Sequence, residues 1–154
     1  MPYVSSEIAN YLLKSHFEVG ADYTVAKEFS VGTSMEIINS SALKKVQDYF
    51  PNANYSEYMT WYFQNNPEYF NLNFVDLPQK WIRDYRLTLD YQEDLDMFNH
   101  IEEYFNSNNL DYSIQELYKF LDKNIKISAL NSNISLVYKT DQKLIKILNE
   151  KTKI

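Results

Sequence analysis

The stretch of sequence that decides the fold is Arg86-Leu87-Thr88-Leu89-Asp90-Tyr91-Gln92-Glu93-Asp94-Leu95. Its first part, residues 86–89, is β-prone and predicts a strand. The part that follows predicts a helix over about 91–105, with a buried face made of Leu95, Phe98, Ile101 and Phe105. In open α/β sheets, carboxylates at the carboxyl ends of strands lie where ligands bind. The stretch therefore predicts an α/β fold with a candidate site at Asp90.

Asp90 has two interpretations, which the spacing alone leaves open. A carboxylate in this place can hold Mg²⁺ beside the phosphates of a substrate. The same residue is also suited to be the N-cap of the following helix, with Glu93 completing a capping box. Such a cap stabilises a helix by roughly 0.5 to 2 kcal/mol without any ligand. Spacing alone favours the cap.

The rest of the chain predicts helices around a small sheet. Further helices are predicted at about 5–19, 55–65, 113–123, 125–130 and 141–150, with a short one that carries Leu43, Val46 and Phe50. Further strands are predicted at 23–26, 34–38 and 70–77. Sheet plus covering helices predicts a layered α/β or α+β architecture. We divide the chain into a domain at 1–108 and a helical extension at 109–154 that packs on the same domain.

Composition excludes several classes of function. The chain has 154 residues, 15 Lys and Arg against 21 Asp and Glu, 2 Gly, 2 His and no Cys. This net negative charge argues against a nucleic-acid partner. Cysteine sites, zinc triads and glycine-rich phosphate loops are excluded, so any metal would be a hard cation held by carboxylates. With no apolar run of membrane length and no signal-peptide pattern, we expect a cytoplasmic protein that does not interact with a membrane.

Four blocks in order give the chain a resemblance to a known family. They are Val31–Ile38, Ala42–Val46, the segment from Glu57 to Phe70, and Arg86–Leu95. Together they resemble the later half of the acylneuraminate-type cytidylyltransferases, especially the spore coat polysaccharide biosynthesis branch. The resemblance extends from Pro2 to about Phe105, and residues 126–138 are similar to the tail of that branch.

The resemblance implies a fold and an activity. It implies part of a Rossmann-like nucleotidyltransferase sheet with covering helices and a helical C-terminal tail. Enzymes of this family join CTP to an acidic sugar or a related small acid, which gives a CMP-sugar and releases pyrophosphate with the help of Mg²⁺. CTP and an acidic sugar are therefore the expected ligands, and Mg²⁺ is the cofactor expected in a complete enzyme.

The resemblance also implies roles for particular residues, although it assigns no catalytic residue. Asp90 matches the metal-binding carboxylate of the family, while Thr88 stands where some members have a second acid. We select Arg83, Arg86 and Glu36 as candidate substrate-binding residues, because a guanidinium suits a carboxylate of the substrate. The alternative for the two arginines is a surface salt bridge to a neighbouring acid, Asp84 or Glu93.

Two departures from the family limit what we expect of this chain. Members begin with a basic, glycine-containing loop that holds the CTP phosphates, whereas this chain begins at Pro2, which corresponds to a position after that loop. In addition, Tyr58 stands where members usually have a His. One hypothesis is the C-terminal portion of a nucleotidyltransferase, inactive alone, either truncated or paired with a separate N-terminal CTP-binding partner. The other is a non-catalytic dimerisation or ligand-binding module derived from the same fold. The reading frame upstream of the first codon would discriminate between them.

The family also implies a homodimer contact at about 35–70. This segment concentrates the rings of Tyr55, Tyr58, Trp61, Tyr62 and Tyr69, and aromatic residues are enriched at interfaces. The alternative is that the same rings fill a small core. Both interpretations stay open at this point.

Overall fold

The computed structural model describes residues 2–154, except for the side chains at positions 137 and 138. Met1, with which the predicted 1–108 domain begins, lies outside the described residues. The fold is α/β and contains a three-stranded sheet in the order β2-β1-β3. The strands are β1 Tyr23–Ala26, β2 Ile37–Ile38 and β3 Leu72–Val75. β1 and β2 are antiparallel, with Tyr23 opposite Ile38.

Helices make up most of the regular structure. The α-helices are α1 Ser6–Val19, α2 Ser40–Tyr49, α3 Met59–Gln64, α4 Gln92–Ser107, α5 Ile114–Lys123, α6 Ile125–Ser128, α7 Val137–Thr140 and α8 Gln142–Lys151. Two 3₁₀ helices lie at Ser56–Tyr58 and Gln79–Trp81. Across residues 2–154, no helix combines the length and the apolar character that crossing a membrane requires.

The chain forms two compact units. The first unit comprises residues 2–11, Ala26–Met35 and Asp76–Ile134, and the second comprises Leu12–Val25, Glu36–Val75 and Ser135–Ile154. The core of the first unit includes Ile8, Leu87, Met97, Ile101, Ile114, Leu117 and Leu121. The core of the second includes Leu12, Tyr23, Val46, Tyr62, Phe63 and Leu148. The predicted division at residue 108 stays a prediction.

The predicted strand at 86–89 is wrong. Arg86 forms a single parallel bridge with Val31, and no further pairing follows. The reason lies in the partner segment, because the chain turns immediately after Val31. The N–H of Thr33 donates there to the carbonyl of Ser30 at 3.0 Å. A ladder needs successive partners in extended conformation, and the turn removes them.

Four other elements differ from the sequence-based expectation, and the first is the strand predicted at 70–77, which is limited to Leu72–Val75. The strand predicted at 34–38 is limited to Ile37–Ile38, and the helix predicted at 55–65 begins as the 3₁₀ helix Ser56–Tyr58. Leu95 does not lie on the buried face of α4, since it is 40% exposed. Asp94 and Met97 occupy inward positions instead, and the ion pair with Arg86 compensates the buried charge of Asp94.

Candidate functional site

The candidate site of the first unit is built where residues 31–32 meet residues 86–87. The N–H of Leu87 donates to the carbonyl of Val31 at 2.6 Å. Gly32 has a φ of +98°, and a Cβ on it would collide with the carbonyl oxygen of Leu87. The approach of the two backbones therefore requires glycine at this position.

Asp94 is the most constrained side chain of the site. It is 0% exposed, and its carboxylate pairs with Arg86, whose side chain is 9% exposed. Arg86 Nε lies 3.0 Å from Oδ1 and Nη2 lies 3.2 Å from Oδ2. The Asn131 amide also donates to Oδ1, at 2.7 Å, and to the backbone carbonyl of Arg86, at 2.9 Å. Burial of a charge is tolerated only with such compensation.

The same carboxylate caps α4, so the predicted cap at Asp90 and Glu93 is wrong. Oδ2 of Asp94 accepts from the backbone N–H of Tyr91 at 3.0 Å and from that of Asp90 at 2.9 Å. α4 begins at Gln92 with Tyr91 as its N-cap, which makes Asp94 the third helical residue. The physical reason is that Arg86 already holds Asp94 inward, where its second oxygen meets these two N–H groups.

The protonation of Asp94 follows from these contacts. Burial by itself raises the pKa of a carboxyl group, but the hydrogen bonds from Arg86, from the backbone of Asp90 and from Asn131 outweigh it. The pKa of Asp94 therefore lies below its usual range. The pKa of Arg86 is raised, because the pairing with Asp94 and Asp90 outweighs the opposing effect of burial. Both groups are charged at neutral pH.

Asp90 is left at the surface with no role in the cap. Its side chain is 61% exposed, and Oδ2 accepts from Arg86 Nη2 at 2.6 Å. The nearby hydroxyl of Thr88 is buried and has no hydrogen-bond partner among residues 2–154. In that same part of the chain, no three acidic or histidine side chains cluster as metal ligands.

The side chains of this site offer Mg²⁺ one carboxylate ligand, that of Asp90. Mg²⁺ usually keeps several waters and binds proteins through one or two carboxylates plus phosphate oxygens of the substrate. The exposed carboxylate of Asp90 is a donor of this hard type, and only one of its oxygens is engaged by Arg86. Asp94 cannot serve as a second ligand, because both of its oxygens are occupied in the core.

Arg83 lies apart from the Arg86 cluster and has another partner. Its guanidinium pairs with Asp122, with Nη2 3.2 Å from Oδ2, and the hydroxyl of Tyr85 donates to the same carboxylate at 2.6 Å. The expected alternative partners, Asp84 and Glu93, are thus wrong for both arginines. The tertiary structure brings acids from α4 and α5 to them, and such contacts have no sequence pattern. The proposed substrate-binding roles of both arginines stay predictions.

Glu36 belongs to the second unit and joins a polar cluster there. Its carboxylate accepts from the hydroxyl of Tyr23 at 2.8 Å and from the hydroxyl of Thr60. Tyr23 is buried, and burial together with the negative charge of Glu36 raises its pKa. Glu36 thus has an ordered environment, and its role toward a substrate stays a prediction.

The rings of the aromatic segment differ in burial. The sequence leaves open whether they form a dimer contact or fill a core. Tyr62 is buried and packs edge-on against Phe50, so it belongs to the core of the second unit. Tyr69 is exposed and contacts the exposed Tyr49 with a centroid distance of 5.4 Å. The rings of Tyr55, Tyr58 and Trp61 are partly exposed.

Sequence reasoning missed two residues of the site, Asp94 and Asn131. The available pattern for Asp94 was its position three residues after Tyr91, but tyrosine is not a usual N-cap residue. Asn131 lies 37 residues from Asp94 in the chain, and no spacing rule relates the two.

Comparison with known proteins gives two relatives. The chain is 32% identical over 125 residues to an uncharacterized protein of Methanocaldococcus jannaschii, which covers 80% of this chain and 49% of the relative. It is 29% identical over 100 residues to the spore coat polysaccharide biosynthesis protein SpsF of Bacillus subtilis, which covers 60% of this chain and 40% of the relative. No protein-family model and no solved structure matches.

These matches support the resemblance in its coarse form. The chain is a partial homologue of a spore coat polysaccharide biosynthesis protein, and it spans about half the length of the curated relatives it matches. That the chain is the C-terminal part of an enzyme, and that it lacks the CTP loop, stay predictions.

Proposed function

We propose that this chain is the C-terminal portion of a nucleotidyltransferase that uses CTP to activate an acidic sugar or a related small acid, on a Rossmann-like sheet. The observation that carries the proposal is the state of Asp90. Its carboxylate is exposed and does not cap α4, so the helix needs no such group at this position. Similarity to a polysaccharide biosynthesis protein supports the same class of activity.

In this proposal Asp90 holds Mg²⁺ in the complete enzyme. The ion, when bound, neutralises negative charge on the transferring phosphate. Asp94 and Asn131 act by positioning. Asp94 and Asn131 hold Arg86, and the guanidinium of Arg86 holds one oxygen of Asp90. The cluster thus orients the carboxylate before any ligand binds.

Substrate recognition is assigned to Arg83, Arg86 and Glu36. A guanidinium matches a substrate carboxylate, and a glutamate accepts from sugar hydroxyls. These residues already have partners, which a substrate would have to displace. A substrate carboxylate would compete with Asp122 for Arg83.

The proposal includes two protein partners. A homodimer through about 35–70 would bury the exposed rings of Tyr49 and Tyr69, and an N-terminal CTP-binding portion, in the same or a separate chain, would complete the site. The second candidate, a non-catalytic module, has no specific observation in its favour.

The test uses Mn²⁺ as a paramagnetic substitute for Mg²⁺ with the 154-residue chain. We expect Mn²⁺ to broaden the backbone NMR signals of residues 88–92 first, and CMP to strengthen this effect. Asp90→Asn should abolish the selective broadening. Asp96→Asn is the matched control, because Asp96 is an exposed acid of the same region whose hydrogen bond is to Gln92. Equal broadening in wild type and Asp90→Asn would overturn the assignment of Asp90.

A further inference from the structure

A second concave site lies in the first unit, between the 3₁₀ helix Gln79–Trp81 and α5. The cavity has a volume of about 380 Å³. Four cationic side chains, Lys80, Arg83, Lys119 and Lys123, line it with one carboxylate, Asp122. This concentration of positive charge is notable in a chain whose formal net charge is -6.

One wall of the cavity is held in place by polar contacts. The pair of Arg83 and Asp122 is reinforced by Tyr85, and the Arg83 guanidinium lies 5.4 Å from the ring centroid of Tyr118. The hydroxyl of Tyr118 donates to Ser30 Oγ at 2.8 Å. Asp122, which is the single carboxylate of the lining, neutralises Arg83, so none of the three lysines is paired with an acid of the lining itself.

The lysines themselves have few acidic partners. Lys119 pairs with Glu116 at 3.1 Å, whereas Lys80 and Lys123 form no ion pair with any of residues 2–154. Lys80 Nζ instead lies 5.3 Å from the centroid of the Trp81 ring. Lys119 and Lys123 are one turn apart on α5, and like charges at that spacing repel each other. An anion in the cavity would relieve this repulsion.

We propose that this cavity binds the phosphate group of a small molecule. A phosphate carries more than one negative charge and several acceptor oxygens, so it can accept from two or three ammonium groups at once. The volume falls in the range of roughly 300 to 1,000 Å³ that is typical of small-molecule pockets. The acidic surface of the chain repels long polyanions, which favours a small ligand over a nucleic acid.

This inference does not depend on the proposed nucleotidyltransferase activity. It shares Arg83 with the proposed substrate recognition. It needs no metal ion and no contribution from Asp90, so the two proposals can still fail separately. Asp90→Asn should leave phosphate binding unchanged.

The test follows the indole N–H signals of Trp81 and Trp61 by NMR in buffered sodium chloride of about 0.15 M. Separate titrations use inorganic phosphate, pyrophosphate, glucose 6-phosphate and acetate. We expect the Trp81 signal to move saturably with each phosphate compound and the Trp61 signal to stay in place. Tighter binding of glucose 6-phosphate than of inorganic phosphate would support an ester as the ligand, and the reverse would support the free anion.

Lysine variants distinguish specific binding in the cavity from a nonspecific effect of net charge. Lys80→Gln and Lys123→Gln should each weaken binding by about tenfold, because each removes a charged donor. Lys146→Gln is the matched control, since Lys146 is an exposed lysine 4.0 Å from Glu150 on α8 and its replacement changes the net charge equally. It should leave the dissociation constant unchanged within about twofold.

Four results would overturn the proposal. They are a Trp81 signal that no phosphate compound moves, equal weakening by Lys146→Gln and Lys123→Gln, binding of acetate as tight as that of phosphate, and a response of Trp81 to an oligonucleotide but to none of the small phosphates.

Discussion

Arg86 and Asp94 form a buried ion pair in which Nε lies 3.0 Å from Oδ1, and the same Asp94 carboxylate caps α4 through Oδ2. One side chain thus joins the segment at residue 86, the start of α4 and, through Asn131, a distant part of the first unit. Asp90, four residues before Asp94, stays exposed because Asp94 supplies what the helix needs. Two acids of the same stretch therefore have opposite roles, and substitution can separate them.

We expect Asp94→Asn to lower the free energy of unfolding by about 3 to 5 kcal/mol, because it removes the buried counter-charge of the guanidinium and leaves only the exposed carboxylate of Asp90. Asp90→Asn should change it by less than about 1 kcal/mol, since an exposed ion pair contributes little. Urea denaturation of the two variants and the wild type measures both values. A larger loss for Asp90→Asn than for Asp94→Asn would contradict the assignment of the cap to Asp94.

Asp94 should contribute to the pH dependence of the free energy of unfolding. Because its pKa is lowered in the folded state, the stabilisation is complete above the usual carboxyl value of 3.8 and is lost as the pH falls toward the lower folded value. Wild type should therefore lose more stability than Asp94→Asn on acidification through this window. The pKa of Asp122 is also lowered, so Asp122 makes the stability of both proteins depend on pH in the same way. Parallel curves of unfolding free energy against pH would argue against this prediction.

The two glycines offer a matched pair. Gly32→Ala should cost at least about 3 kcal/mol, because the new Cβ meets the Leu87 backbone carbonyl and φ is +98°. Gly20→Ala should cost only about 1 to 2 kcal/mol, since φ is +61° but no atom lies within 4 Å of the new Cβ. Thermal and urea denaturation test the order of the two effects. Equal costs would mean that the approach of residue 32 to residue 87 is not needed.

The 154-residue chain should not release pyrophosphate from CTP and an acidic sugar in the presence of Mg²⁺. Phosphoryl-type transfer depends on groups that position and neutralise the phosphates, and the two glycines of this chain form no phosphate loop. A coupled pyrophosphate assay on the purified chain makes the measurement. Release that exceeds a control without protein, and that Asp90→Asn removes, would show that the chain is active alone.

Light scattering should report a mass near twice 18.4 kDa, because a homodimer would cover the exposed aromatic rings of the segment at about 35–70. Tyr69→Glu should shift the equilibrium to monomer by placing a charge among these rings. Phe17→Glu is the control, since Phe17 is an exposed ring outside the segment. A wild-type monomer at micromolar concentration, unchanged on dilution, would refute the dimer.

The candidate site could be located from the sequence but not resolved. The sequence singles out the stretch at 86–95, and Arg86 and Asp90 form an ion pair there. That this stretch is a functional site stays a prediction. Local rules assign the cap to Asp90, because aspartate is a preferred N-cap and tyrosine is not. The ion pair between Arg86 and Asp94 overrides that preference, and a buried contact of this kind has no local pattern.

The sequence by itself determined the helices whose periodicity and end residues agree. α1 ends before Gly20, α2 is followed by Pro51, and α5 begins after Ser113, whose hydroxyl accepts from the N–H of Glu116 at 3.2 Å. These features depend on interactions within a few residues, so the local sequence specifies them. Only the tertiary structure decided that residues 86–89 form no ladder, that Asp94 faces inward, and that four basic residues surround one cavity. The missing ladder and the cavity depend on partners far away in the chain. Asp94 depends on Arg86, eight residues before it, and on Asn131, 37 residues after it. Packing and burial in three dimensions set the energy of all these contacts.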